Sequence, residues 1–264
     1  MSKVIAIGNQ KGGVAKTTTT GNLGIGLAMK GKRVLLIDAD PQGSLTASLG
    51  YQDMDSLDIT LATILGKIMQ HEAVGPEEGI LHQEEGVDLL PCNLDLAGLE
   101  LSMVGVNCRE MLLRKYIRLV ADRYDYILID CMPSLGITTV NAFTAADSIL
   151  IPVQAAFLPV RGLEQLMETI SNIREDLNPE LSIEGILMTM VDQRTNFSKD
   201  IQKIVSDAYG DYVKIFKTVI PRSVRAEEMS ASGTSIYKHD PDGRVAQAYM
   251  NLTEEVLHDD EERI

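Results

Sequence analysis

Lys3 to Thr20 reads KVIAIGNQKGGVAKTTTT. A short apolar strand, Val4 to Gly8, runs into a glycine-bearing loop, and Lys16 followed by four threonines opens a helix. In that order, bare backbone N–H groups and the positive end of a helix dipole converge on an anion. Gly12 and Gly13 let phosphate oxygens approach the main chain, where a side chain would intrude. Lys16 is placed to reach the terminal phosphates, and the Thr17 hydroxyl to ligate Mg²⁺. The match to G-x-x-x-x-G-K-[ST] is incomplete: Gln10 stands at the first glycine and Ala15 at the last.

Around this loop the chain alternates apolar runs with helical patterns, which predicts α/β architecture, a mostly parallel sheet with helices on both faces. The 264 residues suffice for one such domain, residues 1–264, with no repeat or linker. Strands are expected at Val34–Ile37, Val87–Pro91, Tyr126–Asp130, Asp147–Gln154, Ile183–Val191 and Val213–Ile220. Helices are expected at Leu61–Met69, from Asp95, at Arg109–Asp122, Val160–Leu177, Ser198–Tyr209 with Ser198 as N-cap, and Ala246–His258. Two strands end in acids: one runs into Asp38-Ala39-Asp40-Pro41-Gln42-Gly43 and another into Asp130. Carboxylates at the C-terminal ends of parallel strands sit where such sheets bind ligands, and Asp130 is a candidate to hold Mg²⁺ through water.

Composition narrows the class. Apolar residues make up 45% and mean hydropathy is +0.01, with no apolar run of membrane-span length. The first strand starts at Lys3, so neither a signal peptide nor an N-terminal DNA-reading domain is expected. Cys92, Cys108 and Cys131 lack C-x-x-C spacing and read as reduced thiols. The net charge of −14 argues against nucleic acid at first sight, yet Arg194–Arg225 carries seven basic residues against three acidic ones. Positive charge is thus gathered locally in an acidic chain.

The form K-G-G-x-x-K-T-T after an N-terminal strand, with Asn9-Gln10 ahead of it, resembles the ParA/MinD group of ATPases, and within it the ParA/Soj partition proteins. Asp130-Cys131-Met132-Pro133-Ser134 is similar to that family's D-C-P-P-S, with Met132 in place of a proline. The segment from Thr218, TVIPRSVRAEE, resembles its T-x-I-P-R-x-V-R-x-x-E. The resemblance implies a P-loop NTPase fold hydrolysing ATP with Mg²⁺. It assigns nucleotide binding to Gly12, Gly13, Val14, Ala15, Lys16, Thr17 and Thr18, and a wall of the adenine pocket to Asp192, Pro221 and Arg222. It gives Asp40 the attacking water and places Thr17, Asp38 and Asp130 around the metal. Lys11 would reach the phosphates of a second, ATP-loaded copy, so Lys11, Lys16 and Asp40 are the catalytic candidates. The family's homodimer binds double-stranded DNA without sequence preference, is released with a ParB-type partner, and is cytoplasmic and nucleoid-associated. Arg194, Arg222 and Arg225 fall in DNA-contacting segments, and Lys199, Lys203 and Lys217 can join them.

Other readings share parts of this pattern. A MinD-type membrane ATPase would need a basic amphipathic C-terminal helix, whereas this chain ends HDDEERI, which an anionic membrane repels. An iron–sulfur electron-transfer ATPase would need two cysteines per chain at a dimer axis, for which Cys131 and Cys92 are the candidates. A ligase-type enzyme on the same fold would need its own constellation of His, Arg or paired acids, and none is visible. A nucleotide-binding regulator that hardly turns over stays open, given Ala15 and Met132, and so does a regulatory ATPase of the group that does not act on DNA.

Overall fold

The computed structural model describes residues 2–155, 159–192 and 194–262. Its strands are β1 Lys3–Ile7, β2 Val34–Ala39, β3 Leu81–His82, β4 Asp88–Leu90, β5 Tyr126–Cys131, β6 Ser148–Gln154, β7 Ser182–Val191 and β8 Ile215–Pro221. The helices are α1 Lys16–Met29, α2 Ser44–Ser48, α3 Leu61–Met69, α4 Asp95–Ser102, α5 Leu112–Val120, α6 Ile137–Ala145, α7 Pro159–Asp176, α8 Asn196–Tyr209, α9 Val224–Ser232, α10 Ile236–His239 and α11 Arg244–Glu262. Among the described residues one eight-stranded sheet runs in the order β3-β4-β2-β5-β1-β6-β7-β8, and there only the β3–β4 pair is antiparallel. From β1 the chain builds one half of the sheet through β5 and then crosses to β6, so a crevice opens at the C-terminal end of the central strands.

The central strands β2, β5 and β6 are buried along nearly their whole length because both faces are covered. Along β5, Ile127 and Ile129 pack into the core under α3 to α8, while Tyr126 and Leu128 pack into the core under α1, α9 and α11. Alternation then puts Asp130 on the α1 face, and the same count puts Asp38 there too, level with Asp130 on the neighbouring strand. α1 lies close on the sheet: a Cβ at Gly24 would come 2.5 Å from Leu36. That contact fixes the height of the helix whose N-terminus faces the crevice. Among the described residues no helix is long and apolar enough to cross a membrane.

At the outer edge, the N–H groups of Lys217 and Thr218 in β8 donate to the Glu255 carboxylate of α11 at 2.9 and 3.1 Å. Two expectations change. The N-cap of α8 is Thr195, whose hydroxyl accepts the Ser198 N–H at 3.3 Å, so Ser198 lies inside the first turn. Thr195 takes the cap because its own N–H closes a turn onto the Asp192 carbonyl, 3.1 Å away. The helix expected from Arg109 to Asp122 is regular only over α5, with single 3₁₀ turns on either side. The short elements α2, α9, α10 and β3 were not visible as periodic segments. Arg263 and Ile264, part of the acidic C-terminal stretch, lie outside the described residues.

Candidate functional site

The loop between β1 and α1 is held from three sides. Asn9, buried, donates to the Pro152 carbonyl of β6 at 2.8 Å and accepts the Lys11 N–H at 2.9 Å. Gln10 donates to the Gly162 carbonyl at 3.0 Å and to Gln165 at 2.8 Å, both on α7. Thr189 of β7 donates to the Val14 carbonyl at 3.1 Å. Gln10, at the position of the missing first glycine, thus ties the loop to a neighbouring helix.

Gly13 and Ala15 have φ of 69° and 65°. Glycine adopts this left-handed region freely, whereas alanine does so against the clash of its Cβ with the following carbonyl. A Cβ added at Gly12 or Gly13 would meet nothing within 4 Å, so open space lies directly over the bare backbone there. Lys16 turns its ammonium back onto the Lys11 carbonyl at 3.0 Å. Burial lowers the Lys16 pKa, and the carboxylate of Asp130 acts in the opposite direction. The Lys11 side chain is exposed and makes no hydrogen bond or ion pair among the described residues.

Two buried carboxylates lie beside the loop. Asp130 accepts from the hydroxyls of Thr17 at 2.7 Å and Thr20 at 3.3 Å. Asp38 accepts from the N–H and hydroxyl of Thr46 at 2.8 and 2.7 Å and from the Asp40 N–H at 3.2 Å. Burial pushes Asp38 up to about 6 and Asp130 up to about 8, and in Asp130 the neighbouring Asp38 charge adds to the effect. Asp40 is half-buried, with Oδ1 accepting the Gln42 N–H at 2.9 Å. The described residues hold no group of three or more His, Cys, Asp or Glu able to cage a metal. Oxygen donors in this number suit Mg²⁺, which combines one or two carboxylates with phosphate oxygens and water. A dication would also relieve the repulsion within the carboxylate pair.

Next to the loop opens a mostly apolar cavity of about 180 Å³, lined by Ala15, Thr18, Met190, Ile220, Pro221, Arg222, Ser223, Ala226 and Tyr249. Its volume and mostly apolar lining suit a heterocycle. Pro221 and Arg222, expected on a nucleotide-pocket wall, both line this cavity. Asp192 is not in this lining. It faces an adjoining cleft of about 360 Å³ with Arg194, Arg222, Val224 and Arg244, and forms an ion pair with Arg194 at 3.1 Å. Tyr249, its hydroxyl 3.2 Å from that of Thr19, was missed because helical spacing in α11 marks a buried face and not what lies across it. Met190, with φ of 52° at the end of β7, gave no sequence signal at all.

The basic residues divide. Arg194 and Arg222 meet in the larger cleft, joined by Arg244, which sequence alone did not single out. Lys199 and Lys203 are exposed one turn apart on α8. Arg225 projects from α9 and pairs with Glu228 at 3.3 Å. Lys217 sits four residues before Pro221, about 13 Å back along β8, and is not in the cleft. Cys92 and Cys131 are buried, and burial pushes both thiols up, so neither offers a thiolate at a surface where a second chain could share a cluster.

A strand, an open-backed loop with an inward lysine, a helix N-terminus and acids ending the two adjacent strands define a P-loop NTPase. The family described as "AAA domain" matches residues 2–183. The sporulation initiation inhibitor protein Soj of Bacillus subtilis is 42% identical over 97% of this chain and 98% of its own. The chromosome partitioning protein ParA of Caulobacter vibrioides is 40% identical over 99% and 96%. A structure from Mycobacterium smegmatis described as cobyrinic acid a,c-diamide synthase with an ATP analog and magnesium is 36% identical, covers 97% of this chain and 95% of that one, and superimposes with a TM-score of 0.85. The chain belongs to the ParA/Soj family of P-loop ATPases.

Proposed function

We propose that the chain is a partition ATPase whose ATP-loaded homodimer binds double-stranded DNA without sequence preference and leaves it after hydrolysis stimulated by a ParB-type partner. The observation that carries this reading is a shared wall: Pro221, Arg222 and Ser223 line both the cavity beside the phosphate loop and the basic cleft. Whatever occupies the first bears directly on the second. In this reading Gly12 to Thr18 hold the phosphates through N–H groups and the Lys16 ammonium, and the cavity at Ala15 and Tyr249 takes the base. Thr17 with Asp130 and Asp38 would hold Mg²⁺, which supplies charge neutralisation on the phosphates. Asp40, on a turn open to the crevice, orients the attacking water, and the free Lys11 ammonium is available to the phosphates of a second copy. Arg194, Arg222, Lys199 and Lys203 meet DNA phosphates, with Arg225 beside them.

The test is DNA binding by the purified protein with ATP, with ADP and with neither, at two salt concentrations. Binding that requires ATP and falls steeply with salt supports the proposal. Absence of binding in every nucleotide state refutes the DNA role and favours a regulatory ATPase of the same family.

A further inference from the structure

Thr46 is fully buried in α2, and three segments of chain meet on its side chain. Its N–H and its hydroxyl both donate to Asp38 Oδ2, at 2.8 and 2.7 Å. The same hydroxyl accepts the Cys92 N–H, from the turn after β4, at 3.0 Å. A hydroxyl has one proton to give, and with the Cys92 N–H on its lone pair that proton is committed to Asp38. Asp38 Oδ2 thereby receives two donors and is spent. Oδ1 receives only the Asp40 N–H, at 3.2 Å, and keeps an unused lone pair.

The geometry assigns Thr46 as the positioning residue of Asp38: it saturates one carboxylate oxygen so that only Oδ1 serves the cation, directly or through water. This rests on the reading of Asp38 as part of the metal surroundings. Thr17 and Thr20 of α1 hold Asp130 in the same manner, so each buried acid is oriented by hydroxyls from a different helix. Because Thr46 belongs to α2, which follows directly on the Asp40 turn, a displacement of α2 relative to β2 alters Asp38 at once. The link to Cys92 keeps the hydroxyl from rotating away while that happens.

Thr46→Val removes the hydroxyl at nearly constant volume, and Thr46→Ser retains it. Binding of a fluorescent ATP analogue is titrated in EDTA and against rising Mg²⁺. For Thr46→Val the half-saturating Mg²⁺ concentration should rise on the order of tenfold, the usual effect of losing a partner behind a metal ligand, with affinity in EDTA unchanged. Thr46→Ser should restore the wild-type Mg²⁺ dependence. Equal loss of affinity with and without Mg²⁺, or no change in either, overturns the assignment. Asp38→Asn separates the two levels: if it leaves the Mg²⁺ dependence intact, the role of Asp38 fails and that of Thr46 with it. If Asp38→Asn shifts the dependence and Thr46→Val does not, only the role of Thr46 fails. Should Thr46→Val not fold, Thr46→Ala carries the same comparison without a methyl against the carboxylate.

Discussion

Replacing Ala15 by glycine should stabilise this protein. Ala15 is the N-cap of α1 and holds φ of 65° and ψ of 34°. The left-handed conformation costs an L-residue about 1–2 kcal/mol. Glycine abolishes that cost but adds freedom to the unfolded chain, which takes back about 0.5–1 kcal/mol. The net gain is about 0.5–1 kcal/mol, and in a chain of this length each kcal/mol moves Tm by roughly 2–4 °C. Ala15→Gly is therefore expected to raise Tm by about 1–4 °C, read by thermal denaturation without nucleotide. The control is Gly13→Ala, where φ is 69° and the change runs the other way. It should lower Tm by a similar amount and also place a methyl in the space over the loop. A fall in Tm for Ala15→Gly, with no effect of Gly13→Ala, would refute the claim that this loop stores strain at Ala15.

Two further outcomes follow from the charges. Burial raises Asp130 from 3.8 to about 8 in the folded chain, so the native state holds a proton there that the unfolded chain has already released. The resulting loss of stability is absent below about pH 4 and grows as pH rises toward 8; nucleotide-free protein should melt progressively lower from pH 6 to pH 8.5. Asp130→Asn should flatten that profile, and an unchanged slope in a Tm-versus-pH series would count against it. On the basic side, the triple change Arg194→Ala, Lys199→Ala, Lys203→Ala should weaken DNA binding uniformly across sequences. It should lower the log–log salt slope by about 0.9 for each DNA phosphate that is no longer neutralised, while nucleotide affinity stays put.

Sequence made the centre of this molecule readable because the centre is built from local rules. Buried parallel strands have to be continuous apolar runs, so β1, β2 and β5 could be found, and with them the acids at the ends of β2 and β5. The phosphate loop lies wholly within one stretch of chain, so residue type and order express its geometry. What escaped depends on distant partners. α2 is five residues long, too short for a period to show, and its place is set by Leu45 and Leu49 packing under α9 and by Asp38 gripping Thr46. Ser198 and Thr195 are equally good caps in isolation, and only the turn at Asp192 decides between them. Asp192 was expected beside Pro221 and is indeed near it, yet its carboxylate faces Arg194 across the larger cleft. The cavity wall at Tyr249 comes from α11, more than two hundred residues after the loop that it faces.

The carboxylate of Glu255 occupies the N–H groups of Lys217 and Thr218 on β8. At the opposite end the sheet stops at β3, two residues long and antiparallel to its neighbour. Among the described residues one margin thus has two backbone donors taken and the other is two residues long, which gives a stray strand less to zip onto. An exposed, uncapped margin is how sheet proteins polymerise when crowded. With one margin partly occupied and the other short, the described sheet discourages copies from joining strand to strand.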